Sequence, residues 1–478
     1  MVVGVGSFTA SAKSEKLLSN GFFTYYHSGD DYVVLVRAVD RDYTGKTFVI
    51  PYKIDGREVI CANDLLLSDL RKSGNADTIT SIKIEEGITQ LMTYYTVYKE
   101  MVDSERWGAL SGLKNLKEIS FPSTLSTIDD GMFRDCVSLK KAILPDALDY
   151  MGDAVFRGCT SLEYVKFPSE MREVPDYTFE KCKSLKSISL EKKIMNIGDS
   201  AFAYCESLEG EFKLPKWLFE IGPKAFYGCK SLTGKIKLSK HIRAVYDGAF
   251  AFCTGLTGFT VSDRNENYSQ KGGVLFNKNK TKIHCYLSGK KTKEYKIPST
   301  VADVADYAFA GTKNLKKITL SKNMMSTGDY AFYKSQVKEV VLPNSIRDIG
   351  EGSFKNCRNL KSIKLPSKLI GIGNNAFENC KKLKEIKIPS KVETVGAYAF
   401  KGCSSLKSLT FPKSVETIVF GAFDNCKNLK SVKILNSKCD VYAWGKKVSG
   451  SKPTIYGYKN STAQKFAKKA KLKFAKIK

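Results

Sequence analysis

The sequence predicts an α/β repeat solenoid, a stack of about 14 coils of about 23 residues that share one parallel sheet. Three observations predict it: a short phrase, AFxxC, recurs at fixed spacing; apolar side chains keep the same offsets in every recurrence; and a proline closes most of the strand-like runs.

The spacing comes first. Phe133, Phe156, Phe179 and Phe202 lie 23 residues apart, Phe226 and Phe250 follow at 24, and after a gap come Phe309, Phe332, Phe354, Phe377, Phe400 and Phe423. Leu110 holds the same place one step earlier, and a degenerate unit surrounds Leu65, with its strand at Ile79, Ile82 and Ile84. In the unit at Phe400 the apolar positions are Val392, Val395, Ala399, Phe400, Cys403, Leu406, Leu409 and Phe411. The alternation that ends at Phe411 is a strand signal. Pro412 stops that strand because proline cannot donate to a ladder, and Pro122, Pro145, Pro168, Pro215, Pro298, Pro343, Pro366 and Pro389 are its equivalents. AFxxC itself has helical spacing over one turn and often follows Gly-Asp, as at Gly198-Asp199, where the carboxylate can cap the turn. One unit alone buries too little apolar surface to offset the entropy of ordering it, so neighbours must share a core and a ladder.

Organisation follows from where the phrase stops. Residues 1–20 read as an export-signal remnant or flexible N-terminus: a short apolar stretch, then Ala10-Ser11-Ala12, then charge from Lys13. Residues 21–55 alternate without AFxxC and fit an N-terminal β cap; 56–438 form the array; 439–478 form a basic C-terminal cap, with Ser461 starting a short helix through Ala470 and a strand near Phe474. Two insertions break the array. One, about 92–106, reads as a helix. The other, about 262–298, carries some 36 extra residues and a β-hairpin around Asn277–Thr281; both are candidate ligand contacts. No run of 18 or more apolar residues predicts a membrane span.

The formal net charge of +28 and pI near 9.4 favour acidic partners. Between the last two apolar positions of the strand phrase, outward onto the exposed sheet face, lie Lys166, Lys213, Lys237, Lys364, Lys387, Thr410 and Lys433; two residues earlier come Lys141, Tyr164, Lys235, Lys317, Glu385 and Ser408. Ammonium groups one strand apart repel by ~0.9 kcal/mol even in water, and an anionic ligand would relieve that. The candidate ligand-binding residues are therefore Lys141, Tyr164, Lys166, Lys213, Lys235, Lys237, Lys364, Lys387 and Lys433, against the plainer reading of a solvated face partly neutralised by acids such as Glu385. Aromatics are sparse there, which argues against specific nucleic-acid binding.

Catalysis has little to draw on. Ten of the 13 cysteines share one repeat position, from Cys136 to Cys426, and Thr312 and Ser335 replace them in two units, so size rather than redox pairing sets the slot. His27, His241 and His284 are scattered. An aspartate column (Asp130, Asp153, Asp176, Asp199, Asp247, Asp306, Asp329) offers too few ligands per turn for calcium and reads as capping. No cofactor, metal or enzymatic role is expected.

The phrase IGxxAFxxCxxLxxIxLP, repeated from about Gly21 to Lys478 and joined by the stretches from Asn265 and Thr454, resembles the BspA-like leucine-rich-repeat surface proteins. The resemblance implies a right-handed curved rod and a bacterial cell-surface or secreted adhesin, some of whose relatives are implicated in binding host matrix proteins. The expected partner is an extracellular protein or anionic polysaccharide, met by a monomer. The alternatives are a purely structural scaffold without a dedicated ligand and, more remotely, a hydrolase acting on glycan or peptide with its groups in the 262–298 insertion.

Overall fold

The computed structural model describes residues 18–19, 22–28, 32–38, 43–63, 66–91, 93–94, 108–190, 192–442 and 452–477. They divide into two units, Met1–Lys193 and Ile194–Lys478. Both are wound as a parallel-sheet β-solenoid, about 15 turns of ~23 residues in all, with almost no helix.

Within each unit, most coils are tied to the next by up to three ladders. The front ladder uses the strand phrase. In the first unit Lys141–Ile143, Tyr164–Lys166 and Ser187–Ile188 pair in parallel, with Ala142, Val165 and Ile188 in register. A side ladder joins two-residue strands such as Gln90–Leu91, Thr127–Ile128 and Tyr150–Met151. A back ladder runs through AFxxC, where the Phe133 N–H donates to the Val155 carbonyl at 3.0 Å and the Phe156 N–H to that of Thr178 at 3.0 Å. In the second unit the side ladder runs unbroken through Asp348–Ile349, Gly371–Ile372, Thr394–Val395, Thr417–Ile418 and Asp440–Val441.

The expected helical turn at AFxxC is not a helix. Two left-handed residues flank each phenylalanine, for example Ala154 (φ 57°) and Gly158 (φ 77°) around Phe156, or Tyr398 (φ 55°) and Gly402 (φ 72°) around Phe400. Left-handed residues break a right-handed helix, and the N–H groups of both flanking residues and of the phenylalanine between them point to the next coil instead, as at Ala154, Phe156 and Gly158.

The core follows the columns. In the first unit Phe156 stacks on Phe133 at 5.7 Å and on Phe179 at 5.8 Å, the latter pair within 2° of parallel. In the second unit the series Phe309, Phe332, Phe354, Phe377, Phe400 continues at 5.1–5.5 Å. Rings at this separation gain offset-stacking energy beyond their apolar burial.

The second insertion is smaller than the sequence suggests. Cys253 and Thr312 are 59 residues apart, two coils of 23 plus 13. Lys282–Cys285 pairs with Asp303–Val304 on the side ladder, the Tyr286 N–H donates to the Ala308 carbonyl at 2.7 Å on the back ladder, and Glu294–Lys296 pairs with Lys317–Thr319 on the front. Tyr286 occupies the phenylalanine slot and stacks on Phe309 at 5.1 Å. The stretch is thus a coil that lost its AFxxC signature, with an added antiparallel hairpin, Tyr268–Lys271 against Val274–Asn277. The hairpin read around Asn277–Thr281 is present between Val274–Asn277 and Lys282–Cys285. The helix expected near 92–106 lies outside the described residues, except that Thr93–Tyr94 is a strand parallel to Arg57–Asn63.

At the C-terminal end, the Ser461 hydroxyl accepts the Gln464 N–H at 3.3 Å and starts the helix Thr462–Lys469. Thr454–Gly457 and Phe474–Lys476 extend the front ladder past Ser431–Ile434, and buried Ile455, Ala463 and Ala467 close over the last coil's apolar end. Among the described residues no helix is long and apolar enough to cross a membrane.

Candidate functional site

Along each front strand, burial alternates, as in Ser408–Phe411, because successive side chains of a strand point to opposite faces. All nine candidate residues are exposed on this face. Their surroundings differ. In the first unit Lys141 lies beside Tyr164 in register, its Nζ 5.8 Å from the ring centre, and Lys166 pairs with Asp146 at 2.9 Å. In the second unit Lys235 and Lys237 share the strand Gly234–Leu238, and Lys237 pairs with Glu211 at 2.9 Å, holding that carboxyl below its ordinary pKa. Lys317 is tied to Glu339 at 2.8 Å. Lys433 sits 5.9 Å from the Tyr456 ring centre. Over much of the face, then, neighbouring groups already answer the lysines.

The front ladder is interrupted at Glu211–Leu214, where only the bridge Gly210–Leu232 remains, and again farther along, where a groove opens. The front ladder pairs Glu294–Lys296, Lys317–Thr319, Glu339–Val341 and Ser362–Ile363, then stops, and resumes with Ser408–Phe411. The coil between them, Glu385-Ile386-Lys387-Ile388, forms no strand. The side and back ladders continue past it, with the Phe377 N–H donating to the Ala399 carbonyl at 2.7 Å. The coils are therefore held at two edges and parted at the third. The opening is a groove of about 890 Å³ whose rim carries Lys364, Glu385, Lys387, Ser408 and Thr410 over a floor of Ile363, Ile386 and Ile388. Among the described residues neither Lys364 nor Lys387 makes an ion pair. The structure thus brings Lys364 and Lys387 together; Lys213, Lys235, Lys237 and Lys433 do not line this groove. Sequence reading missed the interruption because Glu385–Ile388 repeats the strand phrase of its neighbours.

The remaining columns are structural. Each column thiol reaches back to the preceding coil: Cys159 Sγ to the Phe133 carbonyl at 3.2 Å, Cys403 Sγ to that of Phe377 at 3.1 Å. They are free and buried, and burial pushes Cys136 and Cys357 up to about 12. Such thiols do not ionise to nucleophilic thiolates at neutral pH. The aspartates cap, but across coils rather than at a helix start. Asp130 Oδ1 accepts the Asp153 N–H at 2.8 Å, Asp153 Oδ1 that of Asp176 at 3.0 Å, and Asp306 Oδ1 that of Asp329 at 2.9 Å. His284 is enclosed beside Tyr268, with ring centres 5.1 Å apart, and desolvation holds it down at about 4. Among the described residues no group of three or more His, Cys, Asp or Glu is arranged to hold a metal ion.

Short coils with a parallel front strand and a Leu/Phe core define a leucine-rich-repeat solenoid. The chain belongs to the BspA-type leucine-rich-repeat family: the profile of that repeat region matches in 6 copies, over residues 106–209, 209–281, 279–403 and 325–443. Among solved structures it is similar to a leucine-rich cell surface protein of Faecalibacterium prausnitzii, at 20% identity over 92% of this chain and 99% of that one, with a TM-score of 0.59. It also matches the pneumococcal vaccine antigen PcpA, at 20% identity over 98% of this chain and 100% of that one (TM-score 0.45). A leucine-rich-repeat protein of Eubacterium ventriosum matches at 20% identity over 84% and 91% (TM-score 0.43). No curated protein matches the chain.

Proposed function

We propose that this protein is a cell-surface or secreted adhesin without enzymatic activity, which takes an extracellular protein or anionic polysaccharide on its front face. Lys364 and Lys387 carry the reading: two cations without a carboxylate partner, on the rim of a groove in the size range of ligand sites, with main-chain groups freed by the missing strand. The family match and the similarity to a cell surface protein of Faecalibacterium prausnitzii support the location. The ion pairs Lys166–Asp146, Lys237–Glu211 and Lys317–Glu339 favour the second reading, a solvated scaffold, for the rest of the face.

The test is binding to host-matrix proteins and to acidic polysaccharides at two ionic strengths. Binding should weaken steeply from about 50 to about 200 mM salt, because displaced counterions drive it. Charge reversal at Lys364 and Lys387 (K364E/K387E) should weaken it at least about tenfold, the loss of two charge-assisted contacts. Binding that ignores both would leave the scaffold reading.

A further inference from the structure

A second feature of the Ile194–Lys478 unit is absorbed neither by the groove nor by the repeat. Consecutive coils place Lys216 beside Lys240, Trp217 beside His241 and Phe219 beside Arg243, because each pair occupies the same slot just after the front strand. Trp217 is 45% exposed, unusual for the largest apolar side chain. One side of its indole meets His241, with ring centres 4.3 Å apart and planes at 42°; Lys216 Nζ lies 5.3 Å from its centre. Arg243 lies over Phe219 at 4.8 Å. Among the described residues Lys216, Lys240 and Arg243 make no ion pair. Desolvation first, and then the charges of Lys240, Lys216 and Arg243, hold the His241 imidazole below its ordinary pKa.

We infer that Trp217, flanked by Lys216, Lys240 and Arg243, is a binding site for an acidic saccharide, one sugar ring lying on the open part of the indole and its carboxylate or sulfate groups meeting the three cations. The chemistry selects this class. An aromatic plate ringed by cations offers apolar contact to the C–H face of a sugar and charge to its acidic substituents. A nucleic-acid strand wants successive free plates for successive bases, and here the Phe219 face is taken by Arg243 and part of the indole by His241. A membrane surface wants a broader apolar face than one tryptophan supplies. The site rests on the proposed adhesin reading only for its purpose; its residues are distinct from those of the groove.

The whole chain is titrated calorimetrically with a sulfated, uronate-bearing hexasaccharide, a neutral hexasaccharide and a dT12 oligonucleotide. The acidic hexasaccharide alone should bind well. W217A should weaken it about tenfold, R243Q several-fold, and W217F only slightly, since phenylalanine keeps a stacking plate. In the K364E/K387E background, where the groove's own cations are reversed, the loss on W217A should persist, which separates this site from the groove. Unchanged affinity in W217A overturns the proposal. So does loss only in K364E/K387E, which would place the saccharide in the groove, and so does tighter, Trp217-dependent binding of dT12, which would make the patch a nucleic-acid site.

Discussion

The sulfur of Cys403 lies 3.1 Å from the Phe377 carbonyl oxygen, fully buried, and elsewhere the same slot holds Ser335 and Thr312. The Thr312 hydroxyl finds no hydrogen-bond partner, so volume constrains the slot more than the donor does. Cys403→Ser should accordingly stay within about 1 kcal/mol of the native protein, whereas Cys403→Leu should lose about 1–3 kcal/mol to overpacking, read by denaturant unfolding. The aspartate column makes a subtler point. The Asp153 carboxyl is pushed above its ordinary range by desolvation first, then by Asp176 and Asp130. A carboxyl raised in the folded state binds its proton more tightly there than in the unfolded chain. Its ionisation therefore costs stability as pH rises through the raised value, and the cost disappears below the unfolded value of about 3.9. Asn374 shows the remedy in the chain itself, its Oδ1 accepting the Ala397 N–H at 2.8 Å. Asp153→Asn should raise Tm slightly at pH 7 and not at pH 3, by thermal melts at both.

At the scale of the coil, the stacked ring is the unit of cohesion. Phe377 lies between Phe354 at 5.4 Å and Phe400 at 5.5 Å, with no exposed surface. Phe377→Ala should cost about 3–5 kcal/mol. Hydrogen exchange should show the loss concentrated in the two flanking coils, as nearest-neighbour coupling requires; a uniform loss along the unit would contradict that coupling. Coil period, front strand and the helix begun at Ser461 were all legible in the sequence, because each rests on a local pattern: Leu409-x-Phe411, Pro412, Ser461 ahead of a helix. The turn at AFxxC was not. An apolar pair three residues apart looks the same in a helix as in a turn bounded by left-handed Tyr398 and Gly402. The coil at Tyr286 was hidden because tyrosine and serine replaced the phrase that marks its neighbours. The groove at Glu385–Ile388 was illegible for a deeper reason. Its residues are those of a paired strand, and the gap arises from spacing between coils, which no single phrase encodes. Trp217 was passed over because it carries no repeat signature, standing in a slot that other coils fill with polar residues such as Thr124, Lys368 and Lys391.

At the scale of the whole chain, a net charge of +28 says that anions will be attracted but not where they will stay. The structure narrows the question, since carboxylates already occupy Lys166, Lys237 and Lys317, while Lys364, Lys387 and the cations around Trp217 are unclaimed among the described residues. Ten thiols shut inside the finished stack also have an opposite meaning before the stack exists. In a newly made chain they stand in water at regular intervals, each free to be oxidised or to join the wrong companion. Every coil that winds onto its predecessor removes one sulfur from that hazard. Where oxidants are present, the yield of intact protein is then set by a race between winding and sulfur chemistry, and it is won one turn at a time.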